Sequence, residues 1–425
     1  MHEKASDSGG FFIARTRGEE RRGDKKSAYI YPMNLVLFDD PAIRVNLLPF
    51  TFTRPIGKIR VGILTLAEKW EKRLNNSSSF LTEPYLQKKF PLKPAHDNLF
   101  INAAWCPDDV AIKSVQSLRE GETLVHQEMI LAWRNADMSL PDLSKVTPKQ
   151  FSGTVTLIDQ PWRIFQFNGA QIKADYSLLT AGRKSAGVQD KHTTVYNESN
   201  VFVEEGVTIR AAILNAEDGP IYLGKNSTVQ EGAIIKGSFA LCEGSLVNMG
   251  AKMRGDITVG PYSKVGGEIA NSVIFGYSNK GHDGFLGNSV LGEWCNLGAD
   301  TNTSNLKNNY DAVKLWSYAK GSFVNTGLQF CGLMMGDHSK CGINTMFNTG
   351  TVVGVSSNIF GAGFPRNFIP SFSWGGPAGF TTYQLKSAYE TAARAMERRN
   401  VILDDIEKEI LATVFELTAG KNMTK

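Results

Sequence analysis

The sequence has no apolar run near the roughly 18 residues that a membrane-spanning helix requires, so no span is expected. Its longest apolar run near the N-terminus, Phe11-Phe12-Ile13-Ala14, is too short for the core of a signal peptide. Cysteine is sparse. Cys106, Cys242, Cys295, Cys331 and Cys341 include no C-x-x-C pair, and an odd, scattered set implies reduced thiols in a cytoplasmic protein rather than a disulfide framework. Neither charge sign dominates: 46 Lys and Arg stand against 42 Asp and Glu, which predicts neither a nucleic-acid partner nor a membrane surface. No G-x-G-x-x-G and no G-x-x-x-x-G-K-[ST] occurs, so the Rossmann and P-loop readings have no support.

Residues 1–32 hold seven Lys or Arg and five Asp or Glu without apolar periodicity. That composition reads as a disordered or weakly ordered leader ahead of a natural start at Met33. The strand-like run Leu35-Val36-Leu37-Phe38 follows directly.

Glycine, by contrast, is plentiful, and 26 of its 41 occurrences fall within residues 201–363. The same region carries a strict six-residue repeat. Leu223, Val229, Ile235, Leu241, Val247, Met253, Val259 and Val265 mark its first run, after an earlier pair at Val203 and Ile209. Phe285, Leu291 and Leu297 form a second run, and Met335, Cys341, Phe347, Val353 and Ile359 a third. Four places after many of these a small residue recurs, among them Ser227, Ala233, Ser245, Ala251, Ser263, Thr301 and Thr345. A period of six is neither the 3.6 of a helix nor the 2 of an ordinary strand. It fits a parallel β-helix of short strands whose corners use Gly and Asn at positive φ.

Two stretches break the repeat, roughly 272–284 and 302–332, and loops on a rigid scaffold are where function concentrates. The first contains His282 within Ser278-Asn279-Lys280-Gly281-His282-Asp283-Gly284, and the second opens Asn302-Thr303-Ser304-Asn305-Leu306-Lys307. An imidazole in a polar, Gly-flanked loop is either a surface histidine or a general base for an attacking amine or hydroxyl.

The stretch from Glu268 to Asn309, with H-D-G-F-L-G-N-S-V-L-G-E-W-C-N-L-G-A-D-T-N-T-S-N-L-K at its centre, resembles the acetyltransferase half of the GlmU-like family. That family comprises bifunctional N-acetylglucosamine-1-phosphate uridylyltransferase/glucosamine-1-phosphate acetyltransferases of the hexapeptide-repeat type. The resemblance implies a left-handed β-helix, a homotrimer with sites between neighbouring prisms, and acetyl-CoA as donor. It further implies His282 as catalytic base, Glu268 shaping its surroundings, and Asn296 and Asn305 binding sugar or donor. Phe285 stands where the family has Tyr, and Ala270 where it has a phosphate-binding Lys; Lys280, Lys307 or Arg254 is then the substitute cation. Arg366, just past the last repeat, would meet the CoA phosphates or be simply solvated.

Residues 33–195 read differently. The strand at 35–38, a helical pattern at 65–74, a strand at 99–102 and a helix at 126–135 suggest an α/β fold with a mostly parallel sheet. Arg54, Lys58 and Arg60 form a basic loop after the first strand, suited to a triphosphate or sugar phosphate or else merely solvated. The run L-P-x-T-x-x-R-P-x-x-K is similar to the first loop of sugar nucleotidyltransferases, which implies Mg²⁺-assisted transfer from UTP or dTTP to a sugar 1-phosphate. Asn102 and Arg163 occupy positions where that family has acids, with Asp39, Asp40 and Asp159 nearby as substitutes.

The expected domains are thus a leader (1–32), a nucleotidyltransferase-like α/β domain (33–195), a β-helix (196–369), and a linker with C-terminal helices (370–425). Ile402, Ile406, Ile410 and Val414 mark an amphipathic face for packing in that tail. The resemblance as a whole implies a bifunctional enzyme producing UDP-N-acetylglucosamine. One alternative is a sugar-1-phosphate nucleotidyltransferase, such as a glucose-1-phosphate thymidylyltransferase, with a non-catalytic, trimerising β-helix. A purely scaffolding or sugar-binding coil is another.

Overall fold

The structure is a computed structural model that describes residues 33–418; the expected leader lies outside the described residues. The coil dominates it. Strands of two to four residues build three sheets of nine, ten and six strands, parallel between successive turns and closed in the ten-stranded sheet by an antiparallel hairpin, Ser373–Gly376 with Gly379–Thr382. The nine-stranded sheet begins with Val201–Val203, the ten-stranded one with Thr208–Ile209, and the six-stranded one with Thr194–Tyr196.

The repeat positions are the interior. Leu223, Val229, Ile235, Leu241, Val247, Val259 and Val265 are all completely buried, stacked turn upon turn. The small positions fill the corners: Ser227, Ala233, Ala251, Ser263 and Thr301 are also buried. Register partners lie three repeats apart in the regular turns, as in Ile221↔Phe239 and Thr228↔Leu246. One repeat assignment fails: Phe285 is outward, in register with Glu268, and Leu286 takes the inward slot.

The stretch 272–284 does not project. Val273–Gly276 and Asn279–Lys280 are strands of the coil, but the turn is shortened by half a repeat, with the registers Thr258↔Val273 and Lys264↔Asn279. A shortened turn disrupts a six-residue count without disrupting the stack. The second break is a true excursion, ending in the antiparallel hairpin Lys314–Ser317/Ser322–Asn325. It folds back as packing, because Val313, Leu315 and Cys331 are buried in the core shared with the N-terminal sheet.

That N-terminal sheet is mixed. Asn34–Phe38 runs parallel to both Ser78–Leu81 and Asn98–Asn102, and Met129–Asn135 pairs antiparallel with Asn98–Asn102. The expected helix at 126–135 is therefore a strand, hairpinned with Thr123–His126. Its buried Ile130, Leu131, Ala132 and Trp133 form a continuous apolar run, which carries no period. The expected helix near 65–74 is present as Leu66–Leu74, and Thr65 and Glu68 form a reciprocal cap at its start.

The sheet-bearing half packs directly on the coil's nine-stranded sheet. One core contains Leu35, Phe50, Ile59 and Trp105 together with Val273, Phe275, Val290, Met334 and Val352. The tail closes another edge, where Ala388, Met396, Ile410 and Val414 of helices Leu385–Glu397 and Asp405–Thr418 cover Trp294, Val355 and Phe372. Ile402 is not part of that face; it lies between the helices and is 85% exposed. The expected linker is partly coil as well, since Ser373–Gly376 pairs with Asn358–Ile359 as a further strand.

Candidate functional site

His282 sits at the corner between the ten-stranded and six-stranded sheets, in the short turn that joins Lys280 to Phe285. In a three-sided coil that corner lies opposite the face occupied by the N-terminal sheet. The imidazole is exposed and makes no hydrogen bond among the described residues. Its backbone, however, is tightly seated: a Cβ placed on Gly267, which has φ +67°, would come within 2.8 Å of the His282 carbonyl oxygen. Glu268 follows immediately, in register with Phe285, so the carboxylate and imidazole belong to one corner. Arg254 holds that carboxylate at 2.7 Å, and Lys252 is its neighbour on the preceding turn. Lys252 was not visible as a site residue in sequence, because only pairing between turns places it beside Glu268.

The other expected ligands are dispersed within one chain. Asn296 points outward from the ten-stranded sheet, between Asn279 and Lys340, and accepts a 3.3 Å bond from Asn279. Asn305 lies at the far end of strand Phe285–Gly287, donating to Asn288 at 2.8 Å. Lys307 donates to the Ala312 carbonyl at 2.9 Å. Arg366 is exposed on the last turn of the coil, several turns beyond His282 at about 4.8 Å each. Lys280 does not face solvent at all; it is buried to 1% in an inward slot, so it does not replace the missing phosphate lysine.

The N-terminal half has a cavity of about 580 Å³ at the carboxyl ends of its first two parallel strands, where open α/β sheets bind ligands. Phe38, Asp39, Asp40, Arg44, Glu83 and Glu128 are among its lining residues, whereas Arg54, Lys58 and Arg60 are not. The basic loop turns away instead. Arg54 is buried in ion pairs with Asp337 and Glu293 of the coil, and Arg60 donates to the Ile63 and Phe275 carbonyls. Lys58 is half-buried, its ammonium 5.1 Å from the Phe80 ring centroid. The expectation that Arg54 and Arg60 bind phosphates is thus corrected: both are consumed in packing this half on the coil.

The aspartates expected near a Mg²⁺ ion already have partners in the chain. Asp39 gives one oxygen to Arg44 and Thr82 and the other to the Ile56 N–H, and Asp40 caps helix Pro41–Asn46. Asn102 is buried, bonded to the Ile130 carbonyl and the Ala104 N–H, and Arg163 pairs with Asp159 at 3.6 Å. Among the described residues no three acidic, His or Cys side chains gather as a metal site.

Comparison with known proteins adds to this geometry. Residues 35–184 match the family described as sugar nucleotidyl transferase. The chain is 26% identical to the bifunctional protein GlmU of Methanococcus vannielii over 293 residues, 63% of this chain and 61% of that protein. It is also 26% identical over 168 residues to a bifunctional sugar-1-phosphate nucleotidylyltransferase/acetyltransferase of Sulfurisphaera tokodaii, 39% of each chain. The chain is thus similar to GlmU-type bifunctional proteins along much of its length. The chain spans about three fifths of the first relative and about two fifths of the second. Among solved structures, the polySia-specific acetyltransferase NeuO aligns over 49% of this chain and 99% of its own, at 14% identity and a TM-score of 0.26. An Arabidopsis UDP-N-acetylglucosamine acyltransferase aligns over 55% and 93%, at 13% identity and a TM-score of 0.24.

Proposed function

We propose that the chain is an acyltransferase that moves an acetyl group from acetyl-CoA to the amine of a sugar phosphate, with glucosamine 1-phosphate as the acceptor. The observation that carries this reading is the exposed, unengaged His282 seated on Gly267 beside Glu268, in a coil of the acyltransferase type. His282 takes the proton from the amine as nitrogen attacks the thioester carbonyl, and CoA leaves as the thiol. An Asn amide stabilises the oxyanion of the tetrahedral intermediate. Neither Asn296 nor Asn305 is bonded to His282, and a homotrimer whose copies meet at this corner would bring further side chains to it. Lys252 and Arg254 supply the cations for the sugar phosphate.

A second reading, nucleotidyl transfer from UTP or dTTP, is favoured by the family match over residues 35–184 and by the cavity at the strand ends. Its acidic lining and the diverted Arg54 and Arg60 weigh against a triphosphate there. One set of assays tests both readings. Thiol release from acetyl-CoA is expected with glucosamine 1-phosphate and is expected to vanish in His282→Ala; release that survives the substitution overturns the acyl-transfer reading. Pyrophosphate release from UTP with N-acetylglucosamine 1-phosphate and Mg²⁺ would establish the second reading with UDP-N-acetylglucosamine as the product, whereas release from dTTP with glucose 1-phosphate would make the product a dTDP-sugar.

A further inference from the structure

The inward slots of the coil are nearly all apolar, and Lys280 is a charged exception. Lys280 occupies such a slot, in register with Val265, and is buried to 1%. An ammonium in that place forfeits its hydration, and burial pulls its pKa down to about 8. Such a residue persists only where its surroundings repay the loss.

The repayment is local. At the later corners of the same edge, the residue four places after the inward slot closes the turn: the Thr301 hydroxyl donates to the Gly298 carbonyl at 2.7 Å, and Thr345 to Gly342 at 2.9 Å. At the shortened turn the corresponding residue is Gly284, which has φ +104° and no side chain, and a Cβ there would lie 2.2 Å from the Thr301 carbonyl oxygen. Lys280 does the closing instead, from inside. Its Nζ donates to the carbonyls of His282 and Asp283, the latter at 2.9 Å, with the Gly266 carbonyl at 3.5 Å. The carbonyls on either side of this cap have partners from adjacent turns, Asn248 on Gly281 and the Glu268 N–H on Gly284. The His282 carbonyl is held by Lys280.

We propose that Lys280 is a positioning residue for His282: its ammonium, inside the coil, fixes the turn that presents the imidazole. It acts on the substrate only through that turn. The role in turnover rests on the acyl-transfer reading above, whereas the role in fixing the turn does not.

Lys280→Met in the full chain restores the aliphatic slot and removes the cap. Amide hydrogen exchange over residues 281–284 is expected to rise about tenfold or more, with strands 264–265 and 296–297 unchanged. Acetyl transfer is expected to lose about 10²-fold in kcat with the KM for acetyl-CoA unchanged, the size expected for a misplaced catalytic group. Lys280→Gln, which keeps a donor, is expected to fall between the two and serves if the Met variant does not fold. Unchanged exchange at the turn, or an equal rise throughout the coil, overturns the proposal. A loosened turn with undiminished kcat overturns the link to His282. If the unmodified protein transfers no acetyl group, the acyl-transfer reading falls, and exchange at the turn alone decides whether Lys280 fixes it.

Discussion

Arg54 and Asp337 form a buried ion pair that joins the N-terminal half to the coil across a long separation in sequence. Thr53 donates to the same carboxylate at 2.6 Å, the Glu293 N–H reaches its other oxygen at 2.8 Å, and Glu293 pairs with Arg54 at 3.0 Å. Burial pulls the guanidinium's pKa down, but the two carboxylates raise it further, so the pair stays charged. Removing one partner of such a pair strands the other in a dry interior. Arg54→Met is therefore expected to cost about 3–5 kcal/mol in denaturant unfolding, and Arg54→Met with Asp337→Leu distinctly less. A cost below about 1 kcal/mol for the single variant would show that the seam is held by its apolar contacts alone.

The seat of the His282 turn gives a second prediction. Gly267 has φ +67°, and a Cβ there would sit 2.6 Å from the Gly284 carbonyl oxygen. Gly267→Ala combines a strained backbone with a collision and is expected to cost about 1–3 kcal/mol. Acetyl transfer should fall at least tenfold, while circular dichroism of the coil is preserved. Full activity in this variant would mean that the turn tolerates displacement.

The five thiols predict an alkaline limit on stability. All are buried and unpaired, and burial pushes Cys106 and Cys295 up to about 12 and Cys242 up to about 11, with Cys331 and Cys341 also raised. A folded pKa above the unfolded value of about 8.5 means that the native state holds protons which the unfolded chain releases. The stabilisation is therefore complete below about pH 8.5 and declines as pH rises toward the folded values, by up to about 1.4 kcal/mol per pH unit for each thiol. Urea unfolding from pH 7 to 10 measures the slope, and Cys331→Ala should flatten it. A thiol reagent should find no reactive group in the native state and all five after unfolding.

Association should depend on the edge that carries His282. Met249 and Ile343, each 70% exposed, lie on that edge before and after it. Tyr196, Ile213 and Ile234 lie exposed on the adjoining six-stranded face. Such an interrupted strip of exposed apolar side chains suits contact between copies. If the strip joins the copies of a homotrimer, Ile343→Glu should shift sedimentation to smaller species without loss of secondary structure. A trimer that survives the substitution would place the interface elsewhere.

The coil was legible because its periodicity is a direct physical consequence of stacking: each inward slot must be apolar, and each corner small or glycine. Nearly every repeat position identified in the chain is buried accordingly, and His282 stood out as a polar, Gly-flanked interruption. The misreadings share a cause. A turn shortened by half a repeat looks like a loop when the sequence is counted in sixes, and Lys280 looks like a surface cation when its slot is not recognised as interior. The strand at 129–135, buried on both faces, offers no alternation to read.

Local sequence thus determined the coil, its corners and the histidine that interrupts the repeat, since short-range stacking rules act over a single repeat. Only the tertiary structure decided where the charges go. Arg54 and Arg60 sit in a loop that reads as phosphate-binding, yet Arg54 pairs with Asp337 and Glu293 and Arg60, besides its local bond to Ile63, reaches the Phe275 carbonyl, all three far along the chain in the coil. A cation's role depends on which anion or carbonyl the fold brings within about 3 Å, and long-range packing sets that distance.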